Sequence, residues 1–136
     1  MNISIEILGP VVALIAWSLF MWVWMYATRI PAMLAIKMKP DSHAPRGEQM
    51  ALLPANVRWK ADNYNHLLEQ PTIFYALSLT LTLLPVDDQL CTMIAWSYVA
   101  IRVAHSLVQA LVNKIEIRFL LFVISNIPLF ALTWLA

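Results

Sequence analysis

Charge, glycine and cysteine are all scarce in this sequence of 136 residues. Only 12% of the residues are charged, which is about half of the usual fraction in a soluble domain. Nine Lys and Arg residues nearly balance eight Asp and Glu residues, so the chain lacks the basic field that nucleic-acid binding requires. The single cysteine excludes an intrachain disulfide, and no spacing of Cys and His is typical of a metal site. We therefore expect neither a nucleic-acid partner nor a bound metal.

Long apolar segments are abundant instead, and 61% of the residues are hydrophobic. A membrane helix needs about 20 mainly apolar residues, and four segments between charges approach that length. The sequence therefore predicts one all-α membrane domain over residues 1–136, a bundle of four helices at about 5–30, 55–84, 88–112 and 116–135. Pro71 predicts a bend in the second helix, because proline cannot donate a backbone hydrogen bond.

Basic residues orient this bundle in the membrane. They cluster around the first and third connections between helices, whereas the second connection carries Asp87 and Asp88 and no Lys or Arg. By the positive-inside rule, the first and third connections face the cytoplasm. Both termini are then predicted on the non-cytoplasmic side.

Polar side chains form a stripe on the second helix. Arg58, Asp62, Asn65 and Glu69 lie at i, i+4, i+7 and i+11, and at 100° per residue they fall within about 60° of each other. One interpretation is a solvated helix end with a weak surface pair between Arg58 and Asp62. The alternative is a ligand or a partner helix, because an unpaired carboxylate next to an apolar run is costly.

A second stripe with the same spacing lies on the third helix, and Arg118 begins the fourth helix near its cytoplasmic end. The members of this stripe are Tyr98, Arg102, His105 and Gln109. Arg102 and His105 could form an intramembrane ion pair, for example with Glu69, that only fixes helix packing. Arg118 alone could extend to lipid headgroups. Taken together, these donors and one carboxylate suit a small peptide with two carboxylates and one ammonium group.

Two short patterns carry a resemblance to a known family. The first is Asn-x3-Glu-x-Pro-x2-Phe on the second helix, formed by Asn65, Glu69, Pro71 and Phe74, and the second is Arg102-x2-His105 followed by Arg118. With four membrane helices, this layout resembles the MAPEG family, the integral membrane proteins of eicosanoid and glutathione metabolism. The likeness covers essentially the whole chain, and the run Glu-Gln-Pro-Thr-Ile-Phe-Tyr is similar to bacterial members.

The resemblance implies a homotrimer in a bacterial inner membrane, with glutathione bound between adjacent protomers near the cytoplasmic face. Arg58, Asn65 and Glu69 would bind the peptide, and Arg102 and His105 would support it. The resemblance assigns catalysis to Arg118, whose guanidinium would favour the thiolate of glutathione over the thiol. The implied activity is that of a glutathione-dependent transferase or peroxidase, and the implied partners are membrane lipid and lipophilic electrophiles that arrive from the bilayer.

The sequence also departs from the family pattern at hydroxyl-bearing positions. Gln109 stands where the family has a tyrosine, and Phe119 and Phe122 stand where hydroxyl residues follow the activating arginine. These departures motivate an alternative function, a non-catalytic membrane scaffold or accessory subunit that uses the stripes as ion pairs between helices. A transporter is a third and weaker hypothesis, because the short spans lack paired broken helices.

Overall fold

The computed structural model describes residues 5–136, and five α-helices account for most of them. They are α1 (Leu8–Ala35), α2 (Ala55–Glu69), α3 (Pro71–Leu81), α4 (Asp88–Leu111) and α5 (Ile115–Leu135), with one 3₁₀ turn at Met50–Leu52. The described part of the chain contains no strand. Since α2 and α3 are two halves of one bent rod, the protein is an all-α bundle of four membrane-type segments.

The bent rod divides at the proline that predicts the bend. Helix α2 ends at Glu69, Gln70 links the halves, and Pro71 is the first residue of α3. Proline has no N–H to donate to the preceding turn, but it is well accommodated at the first position of a new helix. Residues 55–81 together span about 40 Å at 1.5 Å per residue, which exceeds the hydrocarbon thickness of a bilayer.

The helix ends differ from the predicted bounds by a few residues. Helix α1 continues to Ala35 with Pro31 inside it, beyond the predicted end near residue 30. A proline inside a helix removes one backbone hydrogen bond, and here the helix continues through the following residues. Helix α3 stops at Leu81, and residues 82–84 form turns in place of a last helical turn.

The two short connections contain residues suited to tight turns. Asp87 caps α4, because its carboxylate accepts a hydrogen bond from the backbone N–H of Leu90 at 3.0 Å. An acceptor at this position satisfies one of the free N–H groups of a helix start. Between α4 and α5, Asn113 adopts φ of 51°, a left-handed conformation in which asparagine is enriched.

Side-chain contacts fix the directions of the helices. Helix α4 runs antiparallel to α2, because Tyr98 contacts Gln70 and Ser106 contacts Asn63. It runs parallel to α1, because Gly9 lies beside Trp96 and Trp17 donates to Ser106. The end of α1, the start of α2, the end of α4 and the start of α5 therefore lie at the same end of the bundle. Both cavities described below open at this end.

The outer surface of the bundle is apolar. Helices α1, α4 and α5 are each long and apolar enough to cross a membrane. Many of their large hydrophobic side chains point outward, among them Phe130, which is 76% exposed, and Trp134, which is 90% exposed. Apolar surface on this scale is typical of contact with lipid or with another protein, so the protein is a membrane protein that contacts lipid through these helices.

Candidate functional site

A basic cleft of about 390 Å³ lies where α1, the first connection and α2 meet. Three arginines from these three parts of the chain line it, namely Arg29, Arg46 and Arg58. Asp62 and Asn65, from the predicted stripe on α2, complete its polar wall. Arg58 is anchored, because its Nε donates to the backbone oxygen of Leu53 at 3.1 Å. The cleft is thus suited to an anionic ligand with one cationic group, which Asp62 can accept.

A different polar face of α2 contacts α4. Asn63, His66 and Gln70 lie at i, i+3 and i+7, and each has a hydrogen-bonding partner on α4. Tyr98 Oη donates to Gln70 Oε1 at 2.9 Å, Arg102 Nη2 lies 2.9 Å from His66 Nδ1, and Asn63 Nδ2 donates to Ser106 Oγ at 2.6 Å. We call these three pairs the polar ladder. It joins α2 to α4 inside the bundle.

The polar ladder extends to the remaining helices at both ends. Gln70 Nε2 donates to Asn126 Oδ1 of α5 at 2.8 Å, and Trp17 Nε1 of α1 donates to Ser106 Oγ at 2.9 Å. Hydrogen bonds between buried polar groups offset the cost of removing those groups from water. All four segments of the bundle are therefore connected through side-chain hydrogen bonds.

Arg102 occupies the middle pair of the ladder and is wholly buried. Its Nη2 contacts His66, while its Nε and Nη1 find no partner within residues 5–136. Glu69, the carboxylate considered as its ion-pair partner, lies exposed on the other stripe of α2. The side-chain partner of Arg102 is therefore the imidazole of His66 and not a carboxylate.

A second, smaller cavity of about 180 Å³ lies between α2, α4 and α5. Its polar lining consists of His66, His105 and Arg118, and its apolar lining consists of Ile115, Phe119 and Phe122. The two imidazoles stack with their centroids 4.9 Å apart. Arg118 is held at the rim, because its Nη1 donates to Asn113 Oδ1 at 2.7 Å. This cavity places a guanidinium and two imidazoles around one small volume.

The structure distributes the predicted site residues over distinct places. Arg58 and Asn65 line the basic cleft, while His105 and Arg118 line the second cavity. Arg102 is buried in the ladder, and Glu69 is exposed and lines neither cavity. None of the described residues lines both cavities.

Sequence reasoning missed several polar residues of these places. His66 received no role, although it contacts Arg102 and His105 and lines the second cavity. Asn63, Gln70 and Ser106 were also missed, as was Arg29, which lines the cleft. The helical spacing of Asn63, His66 and Gln70 was the available signal, since it defines one face of α2 as clearly as the charged stripe does.

The chemistry of both cavities is that of hydrogen-bond donation to anions. Guanidinium groups only donate and stay charged, and the neighbouring imidazoles can add a donor. No group of three or more potential metal ligands occurs in the described range 5–136. The arrangement can bind carboxylates and can stabilise a negative charge that develops on a substrate atom.

An apolar groove of about 450 Å³ faces outward between α1 and α4. It is lined by Ala13, Ala16, Trp17, Phe20, Val99 and Val103. Its walls carry almost no polar surface, so it suits an alkyl or aromatic group that reaches it from the lipid.

Comparisons with known proteins place these features in one family. A model of the MAPEG family matches residues 7–136. No curated protein and no solved structure matches the sequence significantly. The match covers both cavities, the polar ladder and the apolar groove.

Proposed function

Because the chain belongs to the MAPEG family, we propose that it is a membrane-embedded glutathione-dependent transferase or peroxidase that acts on lipophilic electrophiles. The observation that carries the proposal is the division of polar groups between two cavities at one end of the bundle. One cavity offers groups for carboxylates and an ammonium, and the other offers groups that stabilise an anionic sulfur. A tripeptide thiol has both requirements.

In this proposal the basic cleft binds the peptide. Arg58 and Asn65 take the carboxylate and amide groups, and Asp62 takes the ammonium group. Glu69 is exposed one turn beyond Asn65 on the same stripe and lines neither cavity, so it would reach only a ligand that extends out of the cleft. Charge-assisted hydrogen bonds of this kind are the stronger ones in proteins and can be bidentate for arginine.

Arg118 is the proposed catalytic residue. Its guanidinium lies at the rim of the second cavity, where a positive charge favours the thiolate and so increases the amount of nucleophile at neutral pH. His105 lines the same cavity. Arg102 supports the wall of this cavity from the interior through its contact with His66. The lipophilic co-substrate enters from the bilayer, for which the α1–α4 groove is a suitable route.

The complete site is proposed to form between copies of the chain in a homotrimer. In one copy the polar stripe of α2 is exposed along the basic cleft, and no residue of the described range lines both cavities. A neighbouring copy would cover this stripe and bring its own Arg118 toward the cleft. Exposed polar groups at membrane depth favour such cover because hydrocarbon cannot solvate them.

The orientation follows from the basic residues. We propose that the end of the bundle with both cavities faces the cytoplasm of a bacterial cell, in its inner membrane, and that both termini face the opposite side. A reporter domain that is active only outside the cytoplasm should be active in this orientation when it is fused to the C-terminus. Activity of a cytoplasm-dependent reporter there would contradict it.

Ligand-dependent stabilisation tests the proposed function. A ligand that binds only the folded protein raises its melting temperature. We expect reduced glutathione and its S-methyl analogue to raise the melting temperature of the detergent-purified protein in a saturable way. A thiol compound without the peptide carboxylates is the control and should give no shift. Absence of a shift at millimolar glutathione would contradict the proposal and favour the scaffold function, in which the ladder alone holds the helices together.

A further inference from the structure

The imidazole of His66 is a polar wall of the second cavity, and the proposed mechanism uses it only as the partner of Arg102. We propose that His66 is a further catalytic residue, which donates a hydrogen bond from Nε2 to the sulfur of the bound thiol beside Arg118. This inference rests on the proposed function, since it concerns the same cavity and the same ligand. It identifies the group that provides a donor where Phe119 and Phe122 offer none.

Arg102 determines which nitrogen of His66 bears the hydrogen. Arg102 Nη2 lies 2.9 Å from His66 Nδ1. A guanidinium only donates, so Nδ1 must be the acceptor in this contact. The hydrogen of the neutral ring then lies on Nε2. An imidazolium would direct an N–H at the guanidinium, so the neutral ring with hydrogen on Nε2 is the form that fits.

The surrounding rings hold His66 in this orientation. His105 stacks on one face at 4.9 Å and 21°, and Phe122 meets the ring edge-on at 5.4 Å. Because Nδ1 is engaged with Arg102 in the interior, Nε2 is the nitrogen available to the cavity. The imidazole is therefore a donor whose position and tautomer are fixed before any ligand binds, which is the arrangement that stabilises developing charge most effectively.

The apolar walls of the cavity make this donor important. Ile115, Phe119 and Phe122 form those walls, and their side chains donate no hydrogen bond. A sulfur anion in the cavity would therefore find its donors on Arg118 and the imidazoles. Hydrogen bonding to the charged form of a group favours that form.

The ionisation of the thiol needs only water as the acceptor of its proton. The S–H bond of the ligand breaks and its proton leaves to water, because Nε2 of His66 already carries a hydrogen and cannot accept it. The sulfur keeps the electron pair and faces the Arg118 guanidinium and the His66 N–H. It then uses that pair to form the S–C bond with the electrophile, and the leaving group of the electrophile departs with the electron pair of the bond that breaks.

Two substitutions distinguish the acceptor role of His66 Nδ1 from the donor role of His66 Nε2. In His66→Asn, the amide oxygen can replace Nδ1 as the acceptor for Arg102, but no donor remains at the position of Nε2. In His66→Gln, the longer amide reaches the position of Nε2 and leaves Arg102 without its acceptor. We expect the ratio of thiolate to thiol in bound glutathione at neutral pH to fall about tenfold in His66→Asn. His66→Gln should keep most of it.

The measurement is the ultraviolet absorbance of the glutathione thiolate on the purified protein, with His43→Asn as the matched control in the exposed first connection. Affinity for S-methyl glutathione should be unchanged in His66→Asn, because the thioether forms no anion. Loss of thiolate in His66→Gln with retention in His66→Asn would overturn the inference, since His66 would then act only as a partner of Arg102. An unchanged amount of thiolate in both variants would also overturn the inference about His66, but it would leave the proposed function intact. A wild-type protein that binds no glutathione would contradict the inference and the proposed function together.

Discussion

At the scale of single residues, the turn between α4 and α5 prepares Arg118 for its proposed role. Asn113 adopts a left-handed conformation with φ of 51°, and its side-chain oxygen accepts a hydrogen bond from Arg118 Nη1 at 2.7 Å. A long arginine side chain is costly to immobilise, so a partner within its own turn lowers the cost of ordering it when a ligand binds. The guanidinium stays at the rim of the second cavity, where the proposed mechanism uses it.

Replacement of Arg118 tests this role. We expect Arg118→Ala to lower the rate of glutathione transfer to a lipophilic electrophile by about a hundredfold, because a charge-stabilising donor is lost. Lys114→Ala is the control, since Lys114 is an exposed cation in the same turn that lines neither cavity. The measurement compares initial rates after both variants are shown to be folded and to have the oligomeric state of the wild type. Full activity in Arg118→Ala would contradict the proposed mechanism.

At the scale of helices, α4 was more predictable from sequence than α2. Helix α4 has one polar face, and its predicted members Tyr98, Arg102, His105 and Gln109 are all buried. Helix α2 has two polar faces, the charged stripe and the face of the ladder. Periodicity identifies both faces but does not decide which of them meets α4. That choice depends on partners that are distant in sequence, such as Ser106 for Asn63.

The fold itself was predictable for simpler reasons. Charges divide the chain into apolar segments, and Pro71 marks the division of the second one, so the helices and their order follow from local sequence. The cavities do not, because each combines residues from three parts of the chain. The pairing of Arg102 with His66 in place of Glu69 likewise depends on a tertiary contact.

Two asparagines of α2 test the assignment of its faces. Asn63 is wholly buried in the ladder, and Asn65 is exposed in the cleft. We expect Asn63→Ala to lower the free energy of unfolding by about 1 kcal/mol, because one buried hydrogen bond is lost while Trp17 still donates to Ser106. Asn65→Ala should change the unfolding free energy by less than about 0.5 kcal/mol and should weaken glutathione binding. The measurement is thermal unfolding with and without ligand. The reverse order of stability effects would show that the charged stripe, and not the ladder, faces the interior.

At the scale of the whole molecule, the outer surface has apolar regions and one polar region, which require different surroundings. The apolar sides of α1 and α5 suit lipid. The stripe of Arg58, Asp62, Asn65 and Glu69 is exposed in one copy, and hydrocarbon solvates such groups poorly. We expect a neighbouring copy over the stripe to satisfy these groups and to leave the apolar sides for the bilayer. The proposed trimer and the proposed site therefore depend on the same surface.

A mixture of two inactive variants tests whether neighbouring copies share the site. Arg58→Ala removes a group of the cleft, and Arg118→Ala removes one of the second cavity. If a site combines the cleft of one copy with Arg118 of its neighbour, a mixed oligomer contains some interfaces in which one variant provides Arg58 and the other provides Arg118. Such interfaces have both arginines. We therefore expect co-expression of the two variants to restore part of the activity that each lacks alone. A site within a single copy would always lack one arginine in such mixtures, so transfer rates that stay at the level of the separate variants would place the site within one chain.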